Sequence, residues 1–337
     1  MKIGTLKLPD QPVMLAPMED VTDTAFRYMC KKYGADLMFS EFVSSEALIR
    51  GVNKTLKKME ILPYEYPYGI QLYGKNITSM IRSARLTEEM NPDLIDINFG
   101  CPVKKVAMKG AGAGLLTEVP HMIKMTREIV RATSLPVTVK TRLGWDDNSK
   151  NIVEIAEMLQ DTGIAALTIH GRTRAQMYRG EADWTLIGEV KNNPRIKIPI
   201  IGNGDIDSPV KAREAFDKYG VDAIMIGRAT IGRPWLFREI KHYLQSGELL
   251  PPPTVSDQVD MIIEQLEKGL ERKDPVRGVI AMRRFFAVAF KGLRSFKETR
   301  IRLLQANELD KVMAILSEIR ENWGDQLLSS VPSKEEK

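Results

Sequence analysis

Eight short apolar segments alternate with helical patterns over the first 245 or so of this chain's 337 residues, and this alternation restricts the possible folds. The predicted strands cover residues 13–17, 37–42, 68–72, 94–98, 136–141, 166–170, 198–202 and 223–227. The predicted helices between them cover 22–33, 76–91, 120–133, 150–162 and 208–219, with shorter segments at 44–50 and 184–193. The strand segments are apolar along nearly their whole length, which is typical of parallel strands buried on both faces.

Eight β-then-α units predict a closed parallel barrel, the (β/α)₈ or TIM-barrel fold. A doubly wound open sheet is the alternative, and it usually has fewer strands and a glycine-rich first turn. Here the first turn is Ala16-Pro17-Met18-Glu19-Asp20, which contains no glycine. The sequence therefore favours the barrel.

A proline run interrupts this pattern. Pro251-Pro252-Pro253 indicates a stiff linker, and only helical periodicity follows it. We predict a barrel domain over residues 1–245, a linker over 246–253 and a smaller all-helical C-terminal domain over 254–337.

Composition excludes several classes of protein. A chain with 43% hydrophobic and 28% charged residues is typical of globular proteins, and no stretch is apolar for long enough to cross a bilayer. The N-terminus lacks a signal-peptide core. Two cysteines and three histidines show no disulfide framework or metal-ligand spacing, so we expect no metal and a reducing cytoplasm. Nothing indicates a protein partner, and we expect a monomer. The net charge of +5 permits a polyanionic partner.

Cys101 follows the predicted strand 94–98 in the turn Asn98-Phe99-Gly100-Cys101-Pro102. Loops carried on rigid strands present reactive groups, whereas most free cysteines are small buried hydrophobes. Position alone leaves both interpretations open, so the residues at the other strand ends must decide between them.

Catalytic groups of a (β/α)₈ barrel gather at the C-terminal ends of its strands. These ends carry amide, ammonium, imidazole and guanidinium groups together with glycines, a set that suits a planar cofactor bearing a phosphate. The residues are Pro17, Met18, Gln71, Asn98, Cys101, Lys140, His170, Arg172, Asn203, Gly204, Asp205, Gly227 and Arg228.

Barrels commonly bind phosphate after the seventh and eighth strands, where this chain has Asn203-Gly204-Asp205 and Gly227-Arg228. Glycine lets the backbone approach an anion closely, and arginine adds a bidentate contact. The alternative is a pair of tight turns that need asparagine and glycine for positive φ. The occurrence of both at adjacent strand ends favours the phosphate site.

Two further strand-end residues each have two interpretations. Lys140 ends an apolar strand, and a lysine there needs an anionic partner, either negative charge developing on a bound ring or a carboxylate such as Glu41. His170 is either a donor to a phosphate or ring, or a hydrogen-bonded structural histidine.

Several segments, in this order and spacing, resemble the signatures of the tRNA-dihydrouridine synthases, with most similarity to the bacterial B-type branch. They are Ala16-Pro17-Met18 with Thr22-Asp23, Asn98-Phe99-Gly100-Cys101-Pro102, Lys109-Gly110-Ala111-Gly112, Thr168-Ile169-His170-Gly171-Arg172-Thr173, Gly202-Asn203-Gly204-Asp205, and Gly227-Arg228 with Gly232-Arg233-Pro234-Trp235.

The resemblance implies an FMN-binding barrel followed by a helical tRNA-binding domain, with NADPH as the electron donor. It implies that reduced FMN transfers hydride to uracil C6 and that Cys101 donates the proton to C5. A thiol suits this role, because it is mostly protonated at neutral pH. The implied cofactor-binding residues are Pro17, Met18, Gln71, Lys140, His170, Asn203, Gly204, Asp205, Gly227 and Arg228.

Residues 272–302 carry ten basic and two acidic side chains, a net charge of +8, which indicates a phosphate-binding face. The alternative is a solvated helix face over a phenylalanine core. From this stretch and from the barrel loops we predict RNA contacts at Lys104, Lys105, Arg142, Arg174, Arg283, Arg284, Lys291 and Arg294.

Two other functions remain open from the residues alone. One is an FMN barrel acting on a free small molecule such as dihydroorotate, and the other is a non-catalytic RNA-binding protein. The first leaves the basic stretch unexplained, and the second leaves the polar strand ends unexplained.

Overall fold

A computed structural model describes residues 1–328 of the chain. Its strands are β1 (Lys2–Ile3), β2 (Leu6–Lys7), β3 (Val13–Leu15), β4 (Met38–Phe39), β5 (Val43–Ser44), β6 (Tyr68–Tyr73), β7 (Leu94–Asn98), β8 (Val137–Arg142), β9 (Ala166–His170), β10 (Ile200–Asn203) and β11 (Ala223–Ile226). Its helices are α1 (Thr24–Lys32), α2 (Ser45–Leu48), α3 (Asn53–Lys58), α4 (Ile77–Glu88), α5 (Lys104–Ala107), α6 (Val119–Ala132), α7 (Ile152–Gln160), α8 (Thr185–Asn192), α9 (Pro209–Tyr219), α10 (Leu236–Ser246), α11 (Val255–Leu270), α12 (Pro275–Phe286), α13 (Lys297–Gln305) and α14 (Leu309–Trp323).

The long sheet is parallel throughout and confirms the predicted (β/α)₈ barrel. Its strands follow the order β3-β11-β10-β9-β8-β7-β6-β4, and β5 pairs with β6. Met14 of β3 forms a parallel bridge with Leu37, and Leu15 N donates to Leu37 O at 3.0 Å. This bridge joins the two ends of the strand order, so the sheet returns to its first strand.

An N-terminal hairpin that the sequence reasoning missed covers one end of the barrel. Strands β1 and β2 pair antiparallel, and Ile3 is buried in one cluster with Met14, Leu94 and Ala223. Gly4, at a φ of +57°, approaches Pro136, which precedes β8, so closely that a Cβ would lie 2.7 Å from its Cγ. The hairpin therefore covers the N-terminal ends of the strands and leaves their C-terminal ends open.

Several helices begin at a side chain that accepts a backbone N–H. Asn76 accepts from Ser79 N at 2.9 Å at the start of α4, and Asp23 accepts from Phe26 N at 3.0 Å at the start of α1. Thr254 and Asp257 form a reciprocal capping box at α11. These caps satisfy donors that the first turn of a helix leaves free, and they fix where the helices begin.

The chain divides into two compact units. The first comprises Met1–Thr22, Ala35–Ile206 and Lys211–Gly227, and it contains every strand. The second comprises Asp23–Gly34, Asp207–Val210 and the residues from Arg228 onward. The predicted domain limits, 1–245, 246–253 and 254–337, stay a prediction, and residues 329–337 lie outside the described part of the chain.

The second unit is helical and has an aromatic core. The Phe26 and Phe285 rings pack at 5.0 Å, and Phe296 contacts both Phe290 and Trp323 edge-on. Helix α1 is held against α11 by Lys32, whose Nζ donates to Glu264 at 2.6 Å. Within the described residues, no helix has the length and apolar character needed to cross a membrane.

Candidate active site

The parallel register places the predicted strand-end side chains side by side at the open end of the barrel. Asn98 is the Cα partner of Lys140 across β7 and β8, and Asn203 is the partner of His170 across β10 and β9. Gln71 of β6 is the partner of Asp96 on β7. Residues that are far apart in the sequence thus form one continuous rim.

A chain of hydrogen bonds runs along this rim to the turn that carries Cys101. Thr138 Oγ1 donates to Asp96 Oδ1 at 2.6 Å, and Gln71 Nε2 donates to Asp96 Oδ2 at 2.6 Å. Asn98 Nδ2 donates to Gln71 Oε1 at 2.8 Å. Asn98 Oδ1 then accepts from the backbone N–H of Cys101 at 2.8 Å and from that of Gly100 at 2.9 Å. The chain therefore fixes the orientation of both amides.

Sequence reasoning missed Asp96, which begins this chain. The residue is 1% exposed, and burial raises the pKa of its carboxyl to about 6 against the opposing effects of Gln71, Thr138 and Lys140. The available signal was an acidic residue in the middle of the apolar segment Leu94–Asn98, since a buried carboxyl requires hydrogen-bond partners.

Lys140 lies in the same rim. Burial, aided by the positive charge of Arg142, lowers the pKa of its ammonium to about 8. Its Nζ donates to Asn203 Oδ1 at 3.0 Å, while Asn203 Nδ2 donates to the Met225 carbonyl at 2.7 Å. Among the described residues Lys140 makes no salt bridge to Glu41, and the anion that favours its charged form is the nearby Asp96 carboxylate.

Cys101 is 7% exposed and packs with Val106 and Ala111, against Phe42 and Tyr73. Burial raises the pKa of its thiol above the ordinary value, although the Val103 backbone hydrogen bond and the nearby Arg142 oppose the shift. The sulfur therefore holds its proton at neutral pH.

Arg142 holds the Cys101 turn in place. Its guanidinium donates from Nε to the Gly100 carbonyl at 2.7 Å, and from Nη1 to Thr173 O at 3.0 Å and Met177 O at 2.8 Å. The side chain is only 3% exposed. Because the N–H groups of Arg142 already donate to backbone carbonyls, we leave this residue out of the RNA-binding set proposed below.

The turn after β10 places backbone, rather than side chains, at the rim. Asp205 binds Arg172 through both carboxylate oxygens, at 2.9 and 2.5 Å, and also accepts from Ala182 N at 2.8 Å. Gly204, at a φ of +128°, has no room for a Cβ, which would lie 3.0 Å from His170 Cδ2. His170 is buried, with its ring 6.4 Å from that of Tyr178.

The turns after β3 and β11 approach each other. A Cβ on Gly227 would lie 3.5 Å from Ala16 Cβ and from Met18 Sδ, so Gly227 packs beside Ala16 and the half-buried Met18. Arg228, which follows directly in the chain, belongs to the second unit.

Most of the predicted RNA-binding residues are exposed. Lys104 and Lys105 lie on α5, shortly after Cys101, and Arg284, Lys291 and Arg294 are exposed in the second unit. Two are more constrained. The Arg174 guanidinium lies 4.4 Å from the Trp145 ring centroid, and Arg283 donates to Asn307 Oδ1 at 2.5 Å.

One group of carboxylates, Glu19, Asp20 and Glu41, has oxygens within 4.8 Å of one another. Glu19 is paired with Lys58, and Glu41 accepts from Asp20 N. Because a lysine already neutralises part of this charge, we assign no metal to the group.

Solved structures share the barrel fold. Histamine dehydrogenase from a Rhizobium species aligns with a TM-score of 0.55 over 80% of this chain and 50% of its own, at 13% identity. Morphinone reductase aligns with a TM-score of 0.52 over 75% of this chain and 91% of its own, also at 13% identity. At such low identity the likeness shows the fold alone. The molecule is thus a TIM-barrel protein with a polar, largely buried rim.

Comparison of sequences defines the family more narrowly. The family model described as dihydrouridine synthase matches residues 14–323. The tRNA-dihydrouridine synthase B of Shewanella oneidensis is 42% identical over 83% of this chain and 86% of its own. A probable tRNA-dihydrouridine synthase of Rickettsia conorii is 40% identical over 89% of this chain and 90% of its own. The chain belongs to the dihydrouridine synthase family, which confirms the predicted resemblance.

Proposed function

We propose that this protein reduces specific uridines in tRNA to 5,6-dihydrouridine, using FMN as cofactor and NADPH as electron donor. Relatives of about 40% identity that carry the name tRNA-dihydrouridine synthase support the substrate. The observation that carries the chemistry is a buried, protonated thiol tied by hydrogen bonds to the polar barrel rim.

The donor set of the rim fits a flavin mononucleotide. Gln71 and Lys140 would face the polar edge of the ring, with Pro17 and Met18 beside it. The ribityl chain and phosphate would lie against His170, Asn203, Gly204, Asp205, Gly227 and Arg228. Gly204 and Gly227 carry no side chain, which suits close approach of a phosphate to the backbone of these two turns. When bound, FMN supplies the hydride that adds to uracil C6 after its reduction by NADPH.

Cys101 is the proposed proton donor. Reduction of the C5–C6 double bond requires a proton at C5, and the Sγ–H bond breaks as the new C–H bond forms. The raised pKa keeps sulfur protonated before the reaction and makes the thiolate left afterwards a strong base. That thiolate regains its proton from water. Asn98 and Arg142 keep the turn in place while the proton moves.

The RNA-binding part of the proposal rests on unpaired positive charge. Arg284, Lys291 and Arg294 are exposed and form no salt bridge with another described residue, and the same holds for Lys104 and Lys105 beside Cys101. Such side chains suit the phosphates of tRNA. A base must leave its stack to reach a barrel mouth, which favours a single-stranded loop as the target. We also propose a cytoplasmic monomer.

The test is reduction of uridine in tRNA that lacks dihydrouridine. The purified protein should be yellow and, with NADPH, should add two hydrogens to defined uridines of the tRNA, detected by mass spectrometry of nuclease digests. Free uridine and orotate should remain unchanged. Turnover of a free pyrimidine with intact tRNA left unmodified would instead favour a small-molecule reductase.

A further inference from the structure

A groove in the barrel unit lies outside the residues assigned so far. It has a volume of about 540 Å³, and its lining includes Lys75, Asn76, Met108, Lys109, His121 and Trp145. Met108 is 68% exposed, a high value for an apolar side chain. The groove is therefore an open surface with both charged and apolar walls.

The groove borders the segment that supports the catalytic thiol. Residues 107–110 and Gly114 form part of its wall, and between them Ala113 N donates to the Cys101 carbonyl at 3.2 Å. Ala111 packs on Cys101 directly, together with Tyr73, which precedes Lys75 by two residues. A molecule in the groove is thus separated from the Cys101 turn only by this segment.

The charge of the groove is positive and unsatisfied. Lys75 and Lys109 are exposed, and neither ammonium forms a salt bridge with another described residue. Glu118 is the single acidic side chain among the lining residues that the structure describes. Lys104 and Lys105 lie on α5, just before the part of the chain that lines the groove. Phosphate is the anion that such a lysine pair suits.

Two side-chain contacts hold the walls of the groove in place. His121 Nε2 donates to the Lys75 carbonyl at 2.8 Å and joins α6 to the loop after β6. Trp145 is packed against the guanidinium of Arg174, with 4.4 Å from the ring centroid to Cζ. A fixed indole beside lysines offers an apolar surface for an unstacked base.

We propose that this groove binds the single-stranded RNA next to the target uridine, with Lys75 and Lys109 on its phosphates and Trp145 against a base. The inference rests on the proposed function and adds a contact on the barrel to those of the helical unit. NADPH also carries phosphates and an aromatic base, so the experiment must separate the two ligands.

The decisive variant is K75Q/K109Q, with K2Q/K7Q as its matched control. Lys2 and Lys7 are exposed on the hairpin at the opposite end of the barrel, so the control removes the same charge elsewhere. We expect K75Q/K109Q to weaken binding of unmodified tRNA roughly tenfold and to reduce the log–log salt slope by about 0.7–0.9 for each lost contact. The control should match wild type.

Trp145 provides a second measurement. W145L should weaken tRNA binding roughly 5- to 100-fold, whereas W145F keeps an aromatic face and should retain most of the affinity. Flavin reduction by NADPH should be unchanged in all these variants.

Three results would overturn the inference. The first is equal tRNA affinity and salt slope in K75Q/K109Q and K2Q/K7Q. The second is a raised KM for NADPH with unchanged tRNA binding, which would indicate that the groove binds the dinucleotide and not RNA. The third is a wild-type protein that does not bind tRNA, and only this result also removes the proposed function.

Discussion

Burial shifts three ionisable groups at the barrel rim toward their neutral forms, because a charge loses its hydration there. It raises the pKa of the Cys101 thiol, raises that of the Asp96 carboxyl to about 6, and lowers that of the Lys140 ammonium to about 8. Cys101 consequently keeps its proton near neutral pH. Lys140 and Asp96 remain mostly charged there, although the pKa of each lies close to neutral pH. The local environment of each residue thus sets its chemistry.

The first prediction concerns the reactivity of the Cys101 thiol. Only the thiolate reacts with iodoacetamide, and the raised pKa places its formation at higher pH than in an exposed cysteine. Labelling should therefore be slow at pH 7.5 and should still be increasing above pH 9. Mass spectrometry of timed samples measures the rate, and C101A isolates the fully buried Cys30 as background. Fast labelling at neutral pH would contradict a protonated donor.

The second prediction concerns Lys140 and FMN. Binding of an anionic cofactor is favoured by the charged ammonium, so FMN affinity should fall as pH rises above about 8, where the free protein loses that proton. K140M should bind FMN more weakly at pH 7 and show no such step. K150M, which removes an exposed lysine paired with Asp147, should behave as wild type. Fluorescence titration of FMN measures all three proteins, and a step retained in K140M would refute the assignment.

At the scale of elements, the amide chain between β6, β7 and β8 is directional. Asp96 only accepts, so Gln71 must present Nε2 to it and Oε1 to Asn98. Asn98 must then turn its oxygen toward the N–H of Cys101. The Asp96 carboxylate of β7 thereby acts through Gln71 on the neighbouring strand β6 to set the geometry of the Cys101 turn at the end of its own strand.

The direction of these hydrogen bonds predicts that a second substitution, at Asp96, restores stability that is lost when Asn98 is replaced by aspartate. N98D places a second acceptor-only group beside Gln71, whose single Nε2 cannot serve both carboxylates, so stability should fall by about 1–3 kcal/mol. In D96N/N98D, the new amide at position 96 can donate to a reversed Gln71, while the new carboxylate at position 98 accepts from Gln71 and from the turn. The double variant should recover most of the loss. Urea unfolding followed by circular dichroism compares the variants, and a double variant no better than N98D would disprove the directional chain.

The elements that the sequence predicted correctly have strong local signals. All eight barrel strands lie where apolar runs placed them, because strands buried on both faces need such runs. The β1–β2 hairpin was missed because two-residue strands have no detectable alternation. Asp96 was missed because its partners Gln71 and Thr138 lie 25 and 42 residues away in the sequence. The sequence groups Arg142 with the basic residues of the barrel loops, because no local pattern reveals the backbone carbonyls that its guanidinium binds.

At the scale of the whole molecule, the proposed function divides between chemistry in the barrel unit and affinity in the helical unit. The sequence supports this division through the positive charge of residues 272–302, a net of +8. It does not tell which cations are free. Arg302 is paired with Glu318, whereas Arg284 and Arg294 form no salt bridge with another described residue. The structure of the second unit is needed to tell the cations that form salt bridges from those that do not.

The fourth prediction uses that difference. R284Q/R294Q should weaken tRNA binding and reduce the log–log salt slope by about 0.7–0.9 for each lost phosphate contact. The control K311Q/R320Q removes the same charge from side chains already paired with Glu308 and Asp260. It should change both quantities less. Filter binding at several salt concentrations measures them, and equal effects in the two variants would leave net charge, rather than this face, as the cause.

Reduction of tRNA uridine by prereduced enzyme in a single turnover tests the central claim most directly. C101A should lose about 10²- to 10⁴-fold in rate, the usual contribution of a proton donor, with FMN reduction by NADPH and tRNA binding unchanged. C30A, which removes the other buried thiol, should react at the wild-type rate. Dihydrouridine formed at the wild-type rate by C101A would contradict the account and leave Cys101 a small core side chain.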